Sequence, residues 1–228
     1  PRSTLFPYTT LFLSLAEALS LSFADPNCVL LQSDHPPERL FGIPDNAFEG
    51  LPDRPNMITK MPVRLVTLSR LNLLNARNFW DVGFCTGSIA IEAKRLAPAL
   101  DITAFERREE CGAIFERNCR THRVPGIRKV MGDFFLHDLG AYLGESRQVD
   151  AVFIGGHGGR LADMVARLDP LFSPGARLVV NAVRQSTLED FHRLASSFRY
   201  RLLDDLVLTT DDRHPITVAA AEKEGRSV

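Results

Sequence analysis
The sequence predicts an α/β domain, a mostly parallel, seven-stranded sheet with helices on both faces. Three observations carry this. Short apolar runs alternate with stretches at helical spacing from residue 57 onward, which is the pattern of a parallel sheet wound by helices. Residues 78–87, NFWDVGFCTG, read as a strand buried on both faces that feeds a glycine turn. Two late strands with no helix between them then close the chain, so the last one inserts antiparallel.

The elements follow in order. Residues 60–71 form the entry helix, with Thr59 as N-cap, Pro62 in the tolerated first turn, and Met61, Leu65, Leu68 and Leu71 as the inner stripe. Strand one is 79–82, and Gly83, Phe84, Cys85, Thr86 and Gly87 make the turn. Helix 88–96 places Ile89, Ala93 and Leu96 on one face. Strand two is 101–105 with Glu106 as its last residue, strand three 126–131 and strand four 149–154. Helix 161–172, strand five 177–181, helix 188–198 and strands 202–209 and 215–221 complete the sheet.

Ahead of this lies a different kind of sequence. Residues 4–14, TLFPYTTLFLS, look like a translated sequencing adapter, and Pro1 is no initiator, so residues 1–14 are read as non-native and the chain as a fragment or mistranslated frame. A secretory signal is disfavoured by Glu17 inside the apolar run, and the run is too short for a membrane span. Residues 15–32 suggest a short helix and a strand at 28–31, and residues 33–56, rich in proline, glycine and acid, read as a connector to the domain at 57–228.

Composition narrows the function. With 228 residues, 45% hydrophobic, the chain supports one substantial domain plus a fragment. A formal charge of −1 supplies no basic field for nucleic acid or an anionic membrane. The four cysteines, Cys28, Cys85, Cys111 and Cys119, show no paired spacing; buried thiols in a reducing cytoplasm are expected, and no metal site.

A strand, a glycine turn and a helix start put backbone N–H groups beside a ligand, and an acid at the end of the next strand accepts hydrogen bonds from both ribose hydroxyls of a nucleoside. Here that acid is Glu106. The spacing from Asp81 through Gly83 to Gly87 differs from the dinucleotide fingerprint. It resembles the first motif of class I S-adenosylmethionine-dependent methyltransferases, a Rossmann-like fold, except that Cys85 stands at the middle glycine. A Cβ there limits how closely the backbone approaches the methionyl part of the cofactor.

From Ile43 the resemblance narrows. IPDNAF at 43–48, ITKMPVR at 58–64, DVGFCTG at 81–87, MGDFF at 131–135 and FIGGHGG at 153–159 occur in the order found in the decarboxylating precorrin-6B (cobalt-precorrin-6B) C15-methyltransferases of cobalamin biosynthesis. FADPNCVLL at 23–31 is similar to the end of a tetrapyrrole methylase domain of another fold, one often fused ahead of this family. The family has an acid where Pro62 stands. The resemblance implies S-adenosylmethionine bound by Thr59, Asp81, the 83–87 turn, Glu106, Asp133 and Phe134, the last two beside the adenine. It also implies a flat tetrapyrrole against Gly155, Gly156, His157, Gly158 and Gly159.

The motif residues carry a bottom-up reading as well. Lys60 and Arg64 near a helix start oppose its dipole and so ask for a partner anion, read here as the substrate, the alternative being that both are solvated surface cations. Substrate carboxylates would also meet Arg160 and Arg184. A simple turn residue is the lesser alternative for Asp133, and His157 reads as a hydrogen-bonding wall or a proton carrier. The N-P-P-Y of amine methylases is absent. The expected activity is C-methylation at C15 with loss of the ring C acetate carboxylate. The alternatives are a tRNA or other class I methyltransferase, which would need a basic face, and an inactive cofactor-binding domain. A homo-oligomer and a fused or associated second methylase are the expected partners, with no nucleic acid or membrane.

Overall fold
A computed structural model describes residues 13–23, 42–54, 57–144, 147–209 and 215–225. The chain divides into two compact units, residues 1–38 and 39–228. In the first, a single-turn helix α1, Leu15–Ala18, is closed by a capping box: Glu17 Oε2 accepts from Ser14 N at 2.9 Å and Ser14 Oγ from Glu17 N at 3.2 Å. The expected strand at 28–31, the methylase-like stretch beyond Phe23 and residues 1–12 of the adapter-like segment lie outside the described residues.

The second unit is an eight-stranded sheet in the order β3-β2-β1-β4-β5-β8-β6, with β7 also paired to β8. Its strands are β1 Asn78–Val82, β2 Asp101–Glu106, β3 Ile127–Met131, β4 Val149–Ile154, β5 Phe172–Ala182, β6 Tyr200–Leu202, β7 Leu206–Leu208 and β8 Ile216–Lys223. β1 to β5 run parallel, and β8 is antiparallel to β5, β6 and β7, as the two late strands imply. The count is one higher than expected because 202–209 breaks after Leu202 into two short strands. β5 starts five residues earlier than expected. Pro174-Gly175 is accommodated as an irregularity in its pairing with β4, so the strand continues through it.

Helices α2 Met61–Leu71, α3 Ser88–Leu96, α4 Glu109–Thr121, α5 Leu161–Leu168 and α6 Gln185–Ser197 complete the unit. Every residue of β1 is buried, as a central parallel strand requires. Its side chains alternate: Phe79 enters the core shared with α2, α3 and α4, and Trp80 the core shared with α5 and α6.

The segment 42–54 departs from the connector reading. Ile43, Phe48 and Leu51 are buried, and Asp45–Ala47 forms a short 3-10 helix. Two polar residues on the buried stripes of α3 and α4 hold it. Glu92 accepts from the amides of Gly42 and Ile43, at 3.2 and 3.1 Å, and Asn118 exchanges hydrogen bonds with the backbone of Glu49. The methyltransferase-like unit therefore begins well before residue 57.

Candidate active site
The sheet order reverses between β1 and β4, and a crevice opens beyond the carboxyl ends of strands at such a point. A cavity of about 290 Å³ lies there, lined by Gly83, Glu106, Asp133, Phe134, Gly156 and His157 among others. Loops after β1, β2, β3 and β4 thus meet in one space.

The β1 turn is built for close approach. Gly83 has φ +87°, and a Cβ on it would stand 2.8 Å from the amide nitrogen of Gly156. Gly87, φ +80°, is the N-cap of α3, and a Cβ there would enter the Phe115 ring. Gly87 makes no side-chain cap, so Asp81 supplies one from below: its Oδ2 accepts from Ala90 N at 3.2 Å. Asp81 Oδ1 is buried without a partner. Burial, reinforced by the nearby Glu106 charge and opposed by the Ala90 amide, raises the Asp81 pKa to about 7.

Glu106 is 3% exposed and already engaged. Oε2 accepts from Cys85 N at 3.0 Å, and Oε1 from the amides of Arg107 and Arg108 at 2.9 and 3.1 Å, with Arg108 Nε 3.2 Å away. A carboxylate offers about four lone-pair sites, so Oε2 keeps acceptor capacity toward the cavity. Cys85 occupies the left-handed region at φ +50°, where glycine is at ease and a side chain is strained. Its Sγ is 3.0 Å from Met57 O. Burial raises the thiol pKa.

Other expected residues fall around this centre rather than on it. Phe84 is buried against Phe115 with ring centroids 4.5 Å apart, and Thr86 O accepts from Asn118 Nδ2 at 2.9 Å, so both support the turn from behind. Asp133 caps the 3-10 helix Phe134–Leu136 by accepting from Phe135 N at 3.0 Å, the turn role, while still lining the cavity. Phe134 stands edge-on to Phe105 at 5.3 Å. Gly155 donates to Val82 O at 2.8 Å and fixes the start of the glycine loop beside β1. Gly156, His157 and Gly158 line the cavity, and Gly159 N donates to His157 Nδ1 at 3.2 Å.

Two expectations are corrected. Thr59 is not the N-cap of α2; Lys60 holds that position without a side-chain bond, and Thr59 lends its carbonyl to Arg64 Nη1 at 2.6 Å. Arg64 is not a substrate cation. Its side chain is 0% exposed, paired with Glu92 at 2.5 Å and Asp45 at 3.1 Å, and it also donates to Ile43 O. Protein groups take four of the five N–H donors of that guanidinium. Lys60 leans the same way, 3.7 Å from Asp45. Neither lines the cavity.

Arg107, Arg108 and Phe135, not singled out from the sequence, do line it. Their signal was adjacency to Glu106 and to Phe134. The Arg107 guanidinium reaches the β4 loop, 3.9 Å from where a Gly158 Cβ would stand. Arg160, an expected cation, lies 3.5 Å over the Phe135 ring and 3.1 Å from Asp163.

Sheet order, the antiparallel inserted strand and a glycine turn opposed to a strand-end acid define a class I methyltransferase fold. The comparisons agree. The profile of the precorrin methyltransferase domain family matches residues 53–203, and the chain belongs to that family. It is 35% identical over 149 residues to the Thermoplasma volcanium protein named a probable cobalt-precorrin-6B C(15)-methyltransferase (decarboxylating), covering 64% of this chain and 70% of that one. It is 37% identical to a precorrin-6Y C(5,15)-methyltransferase [decarboxylating] of Sinorhizobium, covering 65% of this chain but only 36% of that longer protein. A crystal structure of precorrin-6y C5,15-methyltransferase from Geobacter metallireducens superposes with a TM-score of 0.69 at 27% identity, over 80% of this chain and 97% of that one. Among the described residues no helix is long and apolar enough to cross a membrane.

Proposed function
We propose that the chain transfers a methyl group from S-adenosylmethionine to C15 of precorrin-6B, or its cobalt form, and promotes loss of the ring C acetate carboxylate. The observation that carries this is the single cavity in which Glu106, the Gly83 turn and the Gly156–Gly158 loop meet, in a chain of the precorrin methyltransferase family. The residues present fit the cofactor. Glu106 offers an acceptor to ribose, Phe105 and Phe134 offer an apolar wall for a base, and Asp81 Oδ1 waits unpartnered beneath the turn.

When bound, S-adenosylmethionine supplies an electrophilic methyl on a sulfonium. The chain's share is alignment. Glu106 holds the ribose, Asp133 and Phe134 flank the base, and the bare backbone at Gly156 leaves room for a flat macrocycle beside the methyl. Alignment of this kind is worth roughly 7–11 kcal/mol of barrier. Arg107 and Arg160, which line the cavity, would meet the substrate's carboxylates, while Arg184 lies outside that lining. The protonated macrocycle is its own electron sink when the C–CO₂ bond breaks, so the protein need only place that carboxylate. The same reading implies a homo-oligomer and a second tetrapyrrole methylase, fused or associated, as partners.

The test is incubation with precorrin-6B and methyl-labelled cofactor. One label incorporated and one carbon dioxide released per product is expected. Methylation of tRNA with no label on the corrinoid would overturn the reading.

A further inference from the structure
Within Gly155–Gly159 after β4, His157 is the one residue that is not glycine, and its role depends on where its proton sits. His157 lines the cavity, half-buried, at the carboxyl end of β4. Its Nδ1 is turned back onto its own loop and accepts from Gly159 N at 3.2 Å, while its carbonyl accepts from Arg160 N at 2.9 Å. A backbone N–H can only donate, so Nδ1 must present its lone pair and the ring proton resides on Nε2. Nε2 is then the polar atom left for a ligand.

The surroundings hold the ring in that form. Burial lowers the His157 pKa, the Arg184 charge at the α6 N-cap lowers it further, and Asp190 on α6 opposes them in part. Across the cavity stand Glu106, Arg107, Arg108 and Asp133, with Arg160 next on the same loop. Protonating Nδ1 would set two donors, its own N–H and that of Gly159, against each other.

We propose that His157 is a hydrogen-bond donor and not a proton carrier: its Nε2–H donates to one carboxylate of the substrate at the carboxyl end of β4. This rests on the corrinoid reading above. That hydrogen bond fixes the rotation of the macrocycle over the cofactor, so that the reacting carbon, rather than an equivalent edge of the ring, faces the methyl. Because a donor is needed and a base is not, the site keeps its function over the range in which an ordinary histidine titrates.

The experiment compares His157→Ala, His157→Asn and His157→Gln with wild type in turnover of precorrin-6B, alongside S-adenosylmethionine titration and melting of each protein. A glutamine amide nitrogen reaches the place of Nε2, and an asparagine amide that of Nδ1. With one charge-assisted hydrogen bond at stake, Ala and Asn are expected to lose about 10–100-fold in kcat/KM for the corrinoid, Gln to recover to within about fivefold, and cofactor affinity to stay within about twofold. The wild-type profile of kcat/KM should show no limb falling as pH drops from about 8 to 6. A falling limb with Gln as poor as Ala would make His157 a base and overturn the proposal, as would full activity in His157→Ala. If wild type itself bound the cofactor yet left the corrinoid unmethylated, the corrinoid reading would fail and this proposal with it.

Discussion
Two regions of this chain carry motif residues of similar appearance and use them for opposite ends. In the stretch 42–64, Asp45, Lys60 and Arg64 are charged and sit next to a helix start, yet they face one another and Glu92. At the carboxyl edge of the sheet, Glu106, Arg107, Arg108 and Arg160 are charged and face a cavity. The first cluster ties a strap of chain onto α2 and α3; the second leaves acceptor and donor capacity open to a ligand. A charge in a shared motif is therefore no evidence of ligand contact until its burial and partners are known.

The largest expected effect breaks the strap. Arg64→Ala leaves the buried Glu92 without its cation and should destabilise the domain by about 3–5 kcal/mol, read as a lower denaturation midpoint. Replacing both partners, Arg64→Met with Glu92→Leu, removes the unpaired charge but leaves the Gly42 and Ile43 amides without their acceptor, so only part of that loss should be recovered. A single variant that folded normally but lost corrinoid binding would move Arg64 back into the substrate site.

Next comes the cavity wall. The sequence reading sets the glycine loop apart as a substrate surface, but Gly156 shares its cavity with Gly83 and Glu106, and a Cβ on Gly156 would meet no protein atom within 4 Å. Gly156→Val should thus fold normally and project its side chain into the ligand volume. Cofactor and corrinoid binding should both fall by about tenfold or more in parallel titrations.

Asp81 gives a pH signature. Its pKa is 3.8 as a free side chain and about 7 in the fold. Between these values the unfolded chain releases its proton while the folded chain keeps it, so this group lowers stability as pH rises, and the loss is complete above about 7. Asp81→Asn should therefore stabilise the protein at pH 8, by on the order of 4 kcal/mol at most, and have little effect below pH 4. Denaturant melts at the two pH values check the sign. An equal effect at both would refute the shift.

The smallest effect concerns Cys85. Cys85→Gly relieves a left-handed side chain at φ +50° but loosens the unfolded chain and loses the Met57 contact. A net gain of about 0.5 kcal/mol, seen as roughly 1–2 °C in melting temperature, is expected.

Much of the fold was legible because β1, α3 and β4 carry local signals: a buried apolar run, a glycine turn and a helical stripe that agree with one another. Glu106 was legible for the same reason, lying one strand on from the turn. The strap was not. Arg64 finds Asp45 and Glu92 at separations of 19 and 28 residues, and no local spacing marks such a triad. A faint sign existed, since Glu92 and Asn118 fall on the buried stripes of α3 and α4, where a polar residue needs a partner. The length of β5 was hidden by Pro174-Gly175, a pair that ordinarily punctuates a chain and here sits within the strand.

The claim that the carboxyl-edge cavity is the cofactor site is tested most directly by calorimetric titration of S-adenosylmethionine into wild type and Glu106→Gln. Glutamine keeps the size but weakens the acceptor that holds both the Cys85 amide and, on this account, the ribose. Wild type should bind, and the variant should bind more weakly by about 1.5–3 kcal/mol, a factor of roughly 10–100, with its melting temperature changed far less than that of Arg64→Ala. Equal affinity in the two proteins would contradict the account and remove Glu106 and its cavity from the cofactor site.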